Sequence, residues 1–108
     1  MRRGDLITVA VSGDHGKPRP AVVVQADIVE TGTVLVCLMT SDIDKTAPYR
    51  LALQPTPDNG LRKPSLIQAD KIYPVALARC GEVIGRLAQT ERDMLDLHLL
   101  FVLGLGAE

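Results

Sequence analysis

Apolar and polar positions divide the chain into short extended runs followed by one helical stretch. Leu6 to Val11 alternates and is β-branched, which predicts a strand; Ser12-Gly13-Asp14-His15-Gly16-Lys17-Pro18 then reads as a turn-rich loop. The next strand begins at the proline-flanked Arg19, and its Ala21-Val22-Val23-Val24-Gln25 segment is apolar without alternation, as expected where both faces of a strand are covered. Thr33 to Met39 is a further β-branched run that ends at the polar Thr40-Ser41-Asp42. Tyr49 to Leu53 alternates weakly and precedes a loop containing Pro55, Pro57, Asn59-Gly60 and Pro64. Ser65 to Ala69 and Ile72 to Val75 are predicted as two short strands with Asp70 between them.

After Gly81 the period changes. A short stretch from Glu82 to Leu87 leads to Thr90, with Asp93 three residues on, an approximate capping box that predicts a helix from about Glu91 to Leu103. Gly104 suits the left-handed position that stops it. Leu95, Leu99 and Val102 form one apolar line, and Met94, Leu97 and Phe101 a second, more than one sheet surface covers. Five or six strands closed by a terminal helix predict a mainly β fold: a small antiparallel barrel with the helix packed on it, in one domain over 1–108.

Composition sharpens this picture in three places. Phe101, Tyr49 and Tyr73 are the only aromatic residues, so the core must be built from aliphatic side chains, and few rings remain for stacking on bases. The net charge of −1 is unlike that of most nucleic-acid binders, but ten Lys/Arg against eight Asp/Glu before residue 82 give way to two against five after it. A mildly basic body with an acidic end is compatible with local RNA binding. Cys37 and Cys80 are too few for a disulfide framework and lack metal-ligand spacing, so both are expected to be buried thiols in a cytosolic protein. No apolar run is long enough to span a bilayer, and the N-terminus lacks a cleavage pattern, so neither membrane insertion nor secretion is expected.

Candidate chemistry gathers at strand ends: Lys17-Pro18-Arg19-Pro20, Thr40-Ser41 and Gln68-Ala69-Asp70-Lys71 supply cations, two hydroxyls and a carboxylate. Together with the opening Arg3-Gly4-Asp5-Leu6-Ile7 and the Ser65-to-Arg79 segment, these stretches resemble, in order and spacing, the PemK/MazF toxins over nearly the whole chain. The resemblance implies an SH3-like barrel, a homodimer, and sequence-specific cleavage of single-stranded messenger RNA, held off by a cognate antitoxin with an acidic, partly disordered segment. It implies no cofactor and no metal.

Carried over residue by residue, the resemblance makes Arg19 and Thr40 catalytic, gives Ser41 the neighbouring hydroxyl, and matches Asp70 to an acid found in some active sites. RNA can be cut by its own 2′-hydroxyl if a base takes that proton, an acid serves the leaving 5′-oxygen, and the extra phosphate charge is stabilised. Asp70 is the candidate base, Arg19 the planar phosphate ligand, and Thr40 and Ser41 the donors. Pro20 belongs to the Arg-Pro motif, and His15 aligns with a histidine or glutamate of some relatives. Gln68 stands where some relatives carry arginine, which shifts phosphate binding toward Arg19, Lys17 or Arg79. His98, on the predicted helix, is read as structural. Two other readings compete: a non-enzymatic poison of a topoisomerase, as in CcdB-like toxins of the same fold, and a degenerate member that only binds RNA or a partner. The absence of tryptophan disfavours the first.

Overall fold

The computed structural model describes residues 1–10 and 17–106. Its strands are β1 (Asp5–Val9), β2 (Arg19–Val23), β3 (Thr33–Thr40), β4 (Arg50–Leu53), β5 (Ser65–Ala76) and β6 (Cys80–Arg86). A 3-10 turn (Leu77–Arg79) precedes β6, and one helix, α1 (Gln89–Leu103), follows it. The six strands form a single antiparallel sheet in the order β4-β5-β3-β2-β1-β6.

The mainly β fold with a terminal helix is as expected, but the sheet is not closed into a barrel. Strands β4 and β6 are its two edges and do not pair with each other. The loop between β4 and β5 bridges them: Arg86 N–H donates to the Asp58 carbonyl at 2.8 Å. Gly60 and Gly85 make the close approach possible, since a Cβ at the first would strike the Ile84 carbonyl oxygen and one at the second the backbone of Asn59.

Alternation along the central strands sends side chains into two apolar clusters. Leu6, Val22, Cys37 and Ile67 join Leu95 and Leu99 of α1 in one, while Ile7, Ala21, Val23, Val36 and Val75 form the other. This explains the unbroken apolar run of β2, which has packing on both faces. Each fully buried Leu or Ile contributes about 2 kcal/mol through burial.

Three local expectations are corrected. The two strands predicted around Asp70 are one: β5 runs through, with its register against β3 stepping between Met39↔Ile67 and Cys37↔Ile72, so that Gln68 to Lys71 bulge opposite Leu38. A bulge absorbs the polar residues without ending the strand. The helix starts earlier than predicted, with Ala88 as N-cap; Ala88 N–H donates to Glu91 Oε1 at 2.7 Å, while Asp93 accepts from Gln89 Nε2 at 2.8 Å. Glu91 therefore provides the backward bond to the cap residue, and Thr90 lies inside the first turn. Cys37 is fully buried, and burial pushes its thiol up to about 12, but Cys80 is only half-buried. At the other end, Gly104 adopts the expected left-handed conformation (φ 68°), and Leu105 N–H bonds the Leu100 carbonyl at 3.0 Å.

The opening Arg3-Gly4-Asp5 is a structural clasp. Arg3 Nη1 meets Asp96 of α1 at 2.7 Å and its Nε donates to the Val24 carbonyl at 2.9 Å, while Arg86 Nη1 meets the buried Asp5 at 2.9 Å. Leu95 and Leu99 face the core, whereas Met94, Leu97 and Phe101 remain exposed, Phe101 at 66%. Among the described residues no helix is long and apolar enough to cross a membrane.

Candidate RNA site

Arg19 opens β2 and pairs with Val9 of β1. Because Ala21 pairs with Leu38 in an antiparallel register, Arg19 is level with Thr40, two residues further along β3. Three chain segments that are distant in sequence thus end side by side: the exit of β1, the entry of β2 and the exit of β3. Pro20 lies one residue inside β2, near the strand terminus, where a residue without an N–H is tolerated.

A cavity of about 690 Å³ opens at these strand ends. Lys17, Arg19, Pro20 and Ser41 line it, with Met39, Leu61 and Ile84 as apolar wall. Arg62 and Lys63, from the loop ahead of β5, line it too, as do the hydroxyl residues Thr8 and Ser65. Four cations therefore surround one concavity, and no Asp or Glu is among its described lining residues. Like charges held together in this way raise the local potential for an anion. Thr40 is half-buried beside the cavity, and its Oγ1 accepts from Asp42 N–H at 3.1 Å, which fixes the oxygen and leaves the hydroxyl proton to be donated elsewhere.

The remaining candidates lie apart. Asp70 does not line the cavity. It lies five positions after Ser65 along β5, up to roughly 17 Å at strand rise. Both its oxygens are taken by Arg50: Nε donates to Oδ1 at 3.1 Å and Nη2 to Oδ2 at 2.8 Å, with Lys71 Nζ at 4.0 Å. The Arg50 hydrogen bonds hold the Asp70 carboxyl below its ordinary value, against the opposing effect of burial. Arg50 also donates to the Lys45 carbonyl at 2.8 Å, so the pair anchors the loop that follows Thr40 and Ser41. Gln68 sits on the bulge, its Nε2 3.4 Å from the Leu38 carbonyl. Arg79 ends the 3-10 turn, exposed, at the same end of the sheet as Arg19, because Cys80 pairs with Val9 and Val9 with Arg19; it does not line the cavity. His15 lies outside the described residues. His98 belongs to α1, with Nδ1 buried and without a hydrogen-bond partner among the described residues.

Arg62 and Lys63 are what reading the sequence missed. The signal was an adjacent cation pair just before Pro64 and the start of β5, but only the fold carries that loop to the far wall.

Comparison with known proteins places this geometry in context. A probable endoribonuclease MazF of Mycolicibacterium smegmatis is 38% identical over 110 residues, covering 98% of this chain and 99% of the relative. A mycobacterial endoribonuclease solved with its cognate antitoxin superposes with a TM-score of 0.83 at 20% identity, covering 97% of this chain and 96% of that one. MazF of Deinococcus radiodurans superposes with a TM-score of 0.76 at 21% identity, covering 97% of each chain. Residues 2–103 match the family described as PemK-like, MazF-like toxins of type II toxin–antitoxin systems, and the chain belongs to that family.

Proposed function

We propose that the protein is a single-domain endoribonuclease toxin that cuts single-stranded messenger RNA at short sequence motifs in the Arg19 cavity. The observation that carries this reading is the meeting of Lys17, Arg19, Arg62 and Lys63 around one concavity with Ser41 on its wall. The near full-length likeness to a probable endoribonuclease supports it. The topoisomerase-poison alternative has no such support.

In this mechanism the 2′-hydroxyl oxygen attacks the adjacent phosphorus and the bond to the 5′-oxygen breaks. The products are a 2′,3′-cyclic phosphate, or the 3′-phosphate formed from it by water, and a 5′-hydroxyl. Arg19 binds the non-bridging oxygens as negative charge builds, since a guanidinium is planar, always charged and able to make two parallel bonds. Thr40 and Ser41 donate to the same phosphate. Arg19 does not release a proton, so the leaving oxygen takes its proton from water in the open cavity. Asp70 is assigned to positioning, because a carboxylate held below its ordinary value by two guanidinium bonds is a poor proton acceptor. By side-chain type, His15, two residues before Lys17 in sequence, is the candidate to take the 2′-proton.

The protein acts as a cytoplasmic homodimer in this proposal. The exposed Leu97, Phe101 and Leu103 of α1 are covered by a second copy, and an acidic antitoxin segment occupies the cationic cavity in place of RNA. The test is incubation with a long single-stranded RNA, with EDTA and without ribosomes, followed by mapping of the cuts and their ends. Discrete cuts with cyclic or 3′-phosphate and 5′-hydroxyl ends are expected. Intact RNA from a folded protein overturns the reading.

A further inference from the structure

The loop that carries Arg62 and Lys63 is built as a rigid strap. Asn59 is 2% exposed and uses both ends of its amide: Oδ1 accepts from Thr56 N–H and from Leu61 N–H, each at 3.0 Å, and Nδ2 donates to the Gln54 carbonyl at 2.8 Å. Its own N–H donates to Thr56 Oγ1 at 3.1 Å. Gly60 turns the chain at φ 69°, in contact with β6, and Leu61 plugs into the core cluster that includes Leu6 and Leu95. Beyond the two cations, Ser65 Oγ donates to the Lys63 carbonyl at 3.0 Å. Arg62 and Lys63 are thus exposed side chains on a fixed backbone, and neither forms an ion pair among the described residues.

A buried asparagine bonded at both ends of its amide and a glycine with no room for a side chain are more than is needed to connect two strands. They fix where the cations point, which lowers the ordering cost of gripping a flexible anion. The cavity is also larger than a single phosphate fills, falling in the range that encloses a drug-sized ligand.

We infer that residues 54–64 are a preformed cationic arm, in which Arg62 and Lys63 bind RNA phosphates flanking the one attacked beside Arg19. This rests on the reading that the cavity takes single-stranded RNA. It assigns the two residues to substrate binding and not to the chemical step, which separates them from Arg19 in kinetics.

The experiment compares the full-length protein with an Arg62→Gln/Lys63→Gln variant and with an Arg2→Gln/Arg92→Gln control that removes two cations outside the cavity. The binding probe is a fluorescent single-stranded RNA spanning a mapped cut site, with 2′-deoxyribose at the cut to block cleavage, titrated at several salt concentrations. Each phosphate contact contributes about 0.7 to the slope of log affinity against log salt. The arm variant is expected to lose about 1.4 from that slope and roughly tenfold in affinity near 0.15 M salt, with the control unchanged. On cleavable RNA its KM rises about tenfold while kcat stays within about threefold. A variant with wild-type slope and KM, while the wild type still cuts RNA, overturns the arm and leaves the cavity reading standing. A wild type that neither binds nor cuts overturns the cavity reading, and the arm falls with it.

Discussion

Two polar clusters lie on the same sheet, one at strand ends and one at the bulge inside β5, and they differ in charge balance. Around Arg19 four cations share a cavity with no carboxylate on its described walls. At Asp70 an acid and Arg50 close on each other through two bonds, with side chains only 24% and 14% exposed. The first arrangement concentrates positive charge around one concavity and favours an anionic ligand. The second is complete, and an added ligand would have to compete with a bidentate pair. Residue type alone makes Asp70 look like chemistry; its bonds tie it through Arg50 to the Lys45 carbonyl, in the loop that follows Ser41.

The largest expected effect tests the open cluster. Arg19→Ala is expected to lower kcat/KM for RNA by about 10³-fold, the scale of removing one positioned donor from a charge-stabilising site. Its melting temperature should stay within a few degrees of wild type, because the residue is exposed at a strand end. An Arg19→Ala protein that cuts RNA at the wild-type rate would remove the cavity from the mechanism.

The closed cluster should respond in the opposite way. Asp70→Asn keeps the shape but weakens both Arg50 bonds, and it is expected to cost about 1–2 kcal/mol of stability with activity within about tenfold of wild type. Were Asp70 the general base, the loss would be about 10²–10⁴-fold in rate. Its pH signature has a definite sign. Because the folded carboxyl lies below its unfolded value, its contribution is present above about pH 4 and is lost as pH falls through the folded value. Acid unfolding followed by circular dichroism should therefore be less steep below pH 4 in Asp70→Asn.

The contrast also shows which parts of the molecule could be read from its sequence. Strand-end positions were legible for Lys17, Arg19 and Ser41, since alternation and turn residues mark where a strand stops, and all three line the cavity. Arg50 as the partner of Asp70 was not legible: the two are 20 residues apart and meet only because β4 pairs with β5. The same holds for Arg62 and Lys63, whose loop must cross an open seam that the expectation of a closed barrel left no room for. Polar Gln68 and Asp70 suggested a break between two strands, whereas a bulge keeps β5 whole. The helix cap was misplaced by two residues because Thr90 has the better capping side chain, but Glu91 reaches back to Ala88.

The smallest effect concerns a third group that is neither open nor closed. His98 has a buried Nδ1 without a hydrogen-bond partner among the described residues, and burial lowers its pKa from the ordinary histidine value. The neutral ring is therefore favoured in the folded protein, and between the folded and unfolded values the unfolded chain binds more protons. The stability held by neutral His98 is fully present above about pH 6.5 and declines as pH falls through the folded value. Replacing it with a side chain that cannot titrate, His98→Leu, should flatten the decline in melting temperature as pH falls below about 6.5 and leave RNA cleavage unchanged at neutral pH. An unaltered pH profile of stability in His98→Leu would show that the imidazole reaches solvent when charged, and would place the origin of any acid sensitivity in that window elsewhere in the protein.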